Sequence, residues 1–248
     1  MVEMDTQNLT GDGIKEPGDK GNLNLWQKIS GVLWGGPRET FEDIAARPGV
    51  AAIVILLTTV NFILALPLMF KMKEFTLWSI QSNPAAASTP AHTVSMAATV
   101  AMVGTLVGAV LGPLIIWLIM AGLLKLFNAF TGENAPFNTL FAVTVYAYLP
   151  VMLASVIRAM LIMISPIQNI PKISTGLSML LPGDHTGRLY VLLSQIDPFT
   201  IWGLVLLAVG SSVAMKVPAV KTGIYVGVLW VIFVLIAALI TPSPAVGM

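Results

Sequence analysis

Apolar residues gather along this 248-residue chain into five long stretches, and no charged side chain lies near the middle of any of them. They cover residues 50–70, 97–127, 139–165, 199–215 and 222–240, with short polar breaks between. A bilayer core of about 30 Å takes about 20 apolar residues of helix to cross, and each stretch meets or approaches that length. The pattern therefore predicts an all-α polytopic membrane protein, a five-transmembrane-helix bundle. Its spans fall at residues 50–70, 102–126, 139–160, 199–215 and 222–240.

Ahead of the first span the period changes. Leu25, Trp26, Ile29, Val32 and Leu33 recur at three- and four-residue steps, with Gln27, Lys28 and Ser30 opposite. This is an amphipathic helix, too short and polar to span, with Trp26 and Trp34 suited to the headgroup region. Gly35-Gly36 breaks it, and Pro37 fits a first helical position, where its missing N–H costs nothing. Phe41 and Ile44 give the next short helix an apolar edge, and Pro48 closes it. Residues 22–49 read as a juxtamembrane helical hairpin lying on the bilayer, with a partner-docking surface as the alternative. Residues 1–21 have the composition of a flexible cytoplasmic tail, and Asn8-Leu9-Thr10 is a chance sequon.

Inside the spans, polar residues are few. Thr58, Thr59 and Asn61 sit near the centre of the first, where such groups bond a neighbouring helix for about 0.6 kcal/mol. The second stretch exceeds the hydrocarbon. Counting about 20 residues back from Lys125 reaches Thr105, so residues 97–104 project from the outer face. Gly104, Gly108 and Gly112 stand four apart on one helical face and admit a close neighbouring backbone. Packing within the bundle is the first reading and a homodimer face the second. Pro113 predicts a kink. The third span carries Tyr146, Tyr148 and Pro150. Arg158 falls about 28 Å from its start, near the far interface, where an arginine snorkels; a bundle-facing functional cation is the alternative.

Between spans, Lys71, Lys73 and Glu74 mark an exit, and residues 82–93 read as an irregular loop. Residues 128–138 form a short loop, and 166–198 a long one with a surface helix at 189–193. Basic residues near span ends number five on the N-terminal side (Arg38, Arg47, Lys125, Lys216, Lys221) against four (Lys71, Lys73, Lys172, Arg188). With the short cationic turn at Lys216 and Lys221, this orients the N-terminus to the cytoplasm and the tail 241–248 to the exoplasmic side.

Composition narrows the chemistry. Charged residues make up 10% of the chain and mean hydropathy is +0.85, against about 25% charged in soluble domains. A net charge of +1 without a basic stripe gives nucleic acid nothing to bind. Zero cysteines exclude disulfides, thiolate metal sites and cysteine nucleophiles. The first apolar run begins too late for a cleavable signal peptide. Proton or ion relays need ionisable groups within the spans; no Asp, Glu, His or Lys lies in their hydrophobic cores, and Arg158, near an interface, is the only candidate. The two histidines, His92 and His185, fall in outer loops, while Glu74, Glu133 and Asp197 lie at span edges. Asp184 beside His185 resembles half of an acid/base or metal site, but Pro182, Gly183 and Gly187 around it read as a solvated turn. No catalytic residue, cofactor or metal is predicted.

Several local strings resemble the Yip family (Ypt/Rab-interacting proteins) of five-span membrane proteins, and its prokaryotic branch in particular. They are Pro37-Arg38-Glu39-Thr40-Phe41 and Pro48 before the first span, Gly132 and Phe137 before the third, and Tyr146 with Pro150 within it. Asp197-Pro198-Phe199 and Trp202 open the fourth, and the turn at Lys216 and Lys221 fits as well. The resemblance implies a five-helix domain over about residues 22–240 in a prokaryotic cell membrane, N-terminus inside, C-terminus outside. Eukaryotic relatives associate with prenylated GTPases, but the matching positions here are prolines, glycines and aromatics, which implies structural roles. The leading expectation is a non-enzymatic scaffold or adaptor in membrane organisation or protein trafficking. Its partners would be membrane lipids, an unidentified membrane or cytosolic protein, and further copies of itself. The runner-up is a transporter or permease subunit for a neutral or lipidic solute, with a polar path near Thr58, Asn61 and Tyr146. A loop hydrolase built on His185 ranks last.

Overall fold

The computed structural model describes residues 23–86, 88–132, 134–181 and 187–241. Among these residues the chain is helical and has no strand. Two short helices, α1 (Leu25–Ser30) and α2 (Pro37–Ala46), precede α3 (Val50–Gln81) and α4 (Ala91–Thr131). Then come α5 (Phe137–Ala147), α6 (Leu149–Ile164), α7 (Arg188–Gln195), α8 (Pro198–Met215) and α9 (Ala219–Ile240). Five helical units are long and apolar enough to cross a membrane: α3, α4, α5 with α6, α8 and α9. The five-span architecture predicted from the apolar pattern is the one observed.

The N-terminal hairpin forms for local reasons. Asn24 Oδ1 accepts from the Gln27 amide and Gln27 Oε1 from the Asn24 amide, both at 2.9 Å, a reciprocal cap on α1. One π-turn, Gly31–Gly35, follows, and the chain reverses at Gly36 with φ 123°, a conformation open to glycine. Pro37 then opens α2. The two helices cross so closely that a Cβ on Gly31 would collide with the Thr40 hydroxyl.

The hairpin also corrects the reading of its faces. Lys28, placed on the polar side by periodicity, is buried, and its Nζ lies 3.1 Å from Asp43 Oδ2. Trp26 is 68% exposed, as a side chain expected in the headgroup region would be outside a bilayer. Lys28 is inside because α2 covers its side of α1, a contact that periodicity in α1 alone cannot reveal. Nor does α2 simply lie on the bilayer. Phe41 and Ile44 are fully buried, because α2 packs against α5 and α8.

At about 1.5 Å per residue, α3 (32 residues) and α4 (41 residues) run roughly 48 and 62 Å, well beyond about 30 Å of hydrocarbon. They pair along their length. This mutual support explains why α3 continues past Lys71, Lys73 and Glu74, and why the loop predicted at 82–93 shrinks to the segment between Gln81 and Ala91. The third span is broken. Tyr148 leaves the α-helical path with its amide bonded to the Val145 carbonyl (3.2 Å), and Pro150, early in α6, has no N–H to return to α5.

The core sits around α5. Leu140, Val143 and Tyr146 meet Phe41 and Ile44 from α2, Trp117 and Leu124 from α4, and Leu206 from α8. The surface helix predicted at 189–193 is present as α7.

Candidate functional site

At one end of the bundle the hairpin closes over α5 and α8. The Phe41 ring lies over Gly210, where an added Cβ would stand 2.8 Å from the ring and 2.7 Å from Val143 Cγ1. Only a glycine leaves room for α2 at this depth. Lys28 Nζ completes the joint by donating to the Arg47 carbonyl (3.0 Å) as well as pairing with Asp43. Asp43 Oδ2 stands within ion-pair distance of Lys28 but makes no hydrogen bond of good geometry among the described residues, so the pair fixes one register of α1 on α2 by charge and placement more than by net energy. Between the helices an open cleft of about 520 Å³ is lined by Gln27, Gly31, Gly36, Glu39, Thr40 and Asp43, among others. Trp34, 73% exposed, meets Trp202 of α8 with ring centroids 5.6 Å apart.

Halfway along the spans, the break at Tyr148 adjoins a second feature. Tyr148 packs edge-on against Trp117 at 5.5 Å, beside a cavity of about 100 Å³ whose walls are almost wholly apolar. Trp117 Nε1 is buried without a hydrogen-bond partner among the described residues. Asn61 Nδ2 and Thr58 Oγ1 on α3 are in the same state, so neither makes the interhelical bond predicted for it within this chain. Tyr146 is buried in the core and Pro150 makes the break.

The remaining motif residues hold elements in place. Asp197 caps α8, its Oδ1 accepting from the amides of Phe199 (2.7 Å) and Thr200 (3.2 Å), while Thr175 donates to its Oδ2. Such a cap contributes about 1 kcal/mol, and Pro198 takes the first helical position. Pro48 sits in the link between α2 and α3, next to Gly49 in left-handed backbone. Lys125 Nζ reaches the Ala135 carbonyl (2.8 Å) and fastens the turn into α5.

Other candidates stand apart. A Cβ on Gly104, Gly108 or Gly112 would meet nothing within 4 Å, so no helix among the described residues covers that face. Arg158 and His92 are exposed. Asp184, His185 and Glu133 lie outside the described residues, as do the tails 1–21 and 242–248. Among the described residues no group of three metal-ligating side chains occurs. Lys28–Asp43 and Gly210 escape sequence reasoning, since each matters only through a helix distant in the chain.

No curated protein and no solved structure matches this chain. The family model of the Yip1 domain matches residues 32–240, a stretch beginning inside the docked hairpin and ending with the fifth span. The chain belongs to the Yip1 domain family of membrane proteins.

Proposed function

We propose that this protein is a non-enzymatic scaffold or adaptor in the membrane, presenting its N-terminal hairpin to a protein partner from the cytoplasmic side. The observation that carries this reading is the docked hairpin. Its inner face is fixed by Phe41, Ile44 and the Lys28–Asp43 pair, while Trp26, Trp34 and the cleft along Glu39 remain open. A rigid element with exposed aromatic rings suits protein recognition, because tryptophan anchors lose little side-chain entropy on binding. The Yip1 domain supports a membrane protein of this family and leaves the partner open. A solute path has less support. The space beside the helix break holds about 100 Å³, below the roughly 300 Å³ at which small-molecule pockets begin.

The test follows from the packing. Leu25, Ile29 and Leu33 pack against the core, so charging them would damage the fold as well as the surface. Trp26→Ser and Glu39→Lys alter the open side alone. Crosslinking from a photoreactive residue at position 27 in cell membranes should capture a discrete partner with wild type and lose it with both variants, at unchanged protein level. Identical crosslinked products from wild type and both variants would refute the scaffold reading.

A further inference from the structure

A recess of about 440 Å³ lies where α2 meets the turn between α8 and α9, lined by Arg38, Glu42, Ser212, Lys216, Pro218 and Ala219, among others. Four features converge there. Arg38 extends into solvent with its side chain 75% exposed, held only loosely to Glu42 at 3.9 Å. Lys216 sits at the tip of the turn in left-handed backbone, φ 53°, the one described residue other than glycine with positive φ. Ala219, on the recess lining, opens a 22-residue helix, and the first backbone acceptor, the Pro218 carbonyl, is taken by Lys221 and Thr222. Ser212 is 8% exposed, and its hydroxyl has no partner among the described residues.

The last of these is the informative one. A serine nine-tenths buried in a membrane helix ordinarily turns its hydroxyl to the carbonyl four residues back, as Ser211 does to Leu207 one position earlier. Ser212 instead lines the recess with a donor unspent. Its own carbonyl accepts from Val217 while Lys216 bonds back to Val213, closing a helix end that usually calls for glycine at position 216. A lysine there accepts backbone strain and adds a second basic residue to the recess lining beside Arg38. Two cations against one carboxylate, a helix N-terminus and a free hydroxyl together describe an anion site.

We propose that this recess binds a phosphate group, presented by the headgroup of an anionic phospholipid. The turn joins two spans and therefore lies at the bilayer surface, and Val220 and Ile224 below it are exposed as a lipid-facing wall. A phosphate at the recess leaves its acyl chains free to run down that wall. This site shares Glu42 with the hairpin cleft but takes its cations and hydroxyl from other residues, and it does not depend on the scaffold reading.

The full-length protein in phosphatidylcholine nanodiscs, doped with phosphatidylglycerol, provides the test, with retained lipid counted by native mass spectrometry. Arg38→Gln and Lys216→Asn should each weaken phosphatidylglycerol retention about five- to tenfold, and Ser212→Ala about threefold. Asparagine tolerates left-handed backbone, so Lys216→Asn folds without added strain. Lys221→Asn, two positions into α9 and outside the recess lining, should change retention less than about twofold. Equal loss from Lys221→Asn and Lys216→Asn would reduce the effect to general surface charge and overturn the site. Retention unchanged in Lys216→Asn and Ser212→Ala would overturn it too. Inorganic phosphate in the millimolar range should leave the lipid bound; displacement would overturn the lipid as its source.

Discussion

The third span and the α3–α4 pair belong to one bundle yet live in different surroundings. In the most apolar window of the third span 61% of residues are buried within the protein, against 17% in α3 and 11% in α4. Helix α5 is a post that α2, α3, α4 and α8 all touch, whereas α3 and α4 lean chiefly on one another and turn the rest of their surface to lipid. Lipid is as apolar as leucine, so burial brings helices together here through fit and not through dehydration. The post must therefore be shaped by close packing, and the outer pair needs only enough apolar surface to stay in the membrane.

The difference is broken most directly with two phenylalanines. Phe41, fully buried over Gly210, and Phe130, 80% exposed at the end of α4, are the same residue in opposite settings. Phe41→Ala leaves a void between α2, α5 and α8 and should cost about 3–5 kcal/mol. Phe130→Ala should stay within about 0.5 kcal/mol. Thermal unfolding in detergent, followed by circular dichroism, reads both. Equal losses would mean that the hairpin does not dock as described.

The hairpin joint gives the next effect in size. Lys28→Met strands the Asp43 carboxylate and should cost about 3 kcal/mol, while Lys28→Met with Asp43→Leu should recover most of it, since two apolar groups replace a buried ion pair at little net cost. A double mutant as unstable as the single one would show that the ion pair, and not merely the avoidance of a stranded charge, holds α1 in place.

These same residues mark where the chain's own pattern stops being informative. Spans are legible because lipid imposes a length and forbids charge, and Pro37, Asp197 and the surface helix α7 are legible because caps and breakers act locally. Position 28 is not: a helical period assigns lysine to water, and only the docking of α2 moves it inside. The end of α3 at Gln81 is hidden for a related reason, since hydropathy falls at Lys71 while pairing with α4 keeps the helix wound. The recess at Ser212 and Lys216 draws on residues about 175 positions from Arg38, a separation no local motif can bridge.

The smallest expected effect concerns the glycine face of α4. Gly104, Gly108 and Gly112 carry the spacing that lets helices approach closely, yet within one chain their face is open. Gly108→Leu should therefore leave the unfolding temperature of the detergent-solubilised monomer within the shift expected for about 0.5 kcal/mol, where Gly210→Leu, forced against Val143 and Phe41, should lower it by several times as much. Crosslinking in native membranes adds the complementary measurement. A dimer species in wild type that Gly108→Leu abolishes would assign the open face to a second copy of the chain, and unchanged crosslinking would leave those glycines facing lipid. A large loss of monomer stability from Gly108→Leu would instead remove the contrast between post and outer pair, because it would require a packed neighbour where the described residues place none.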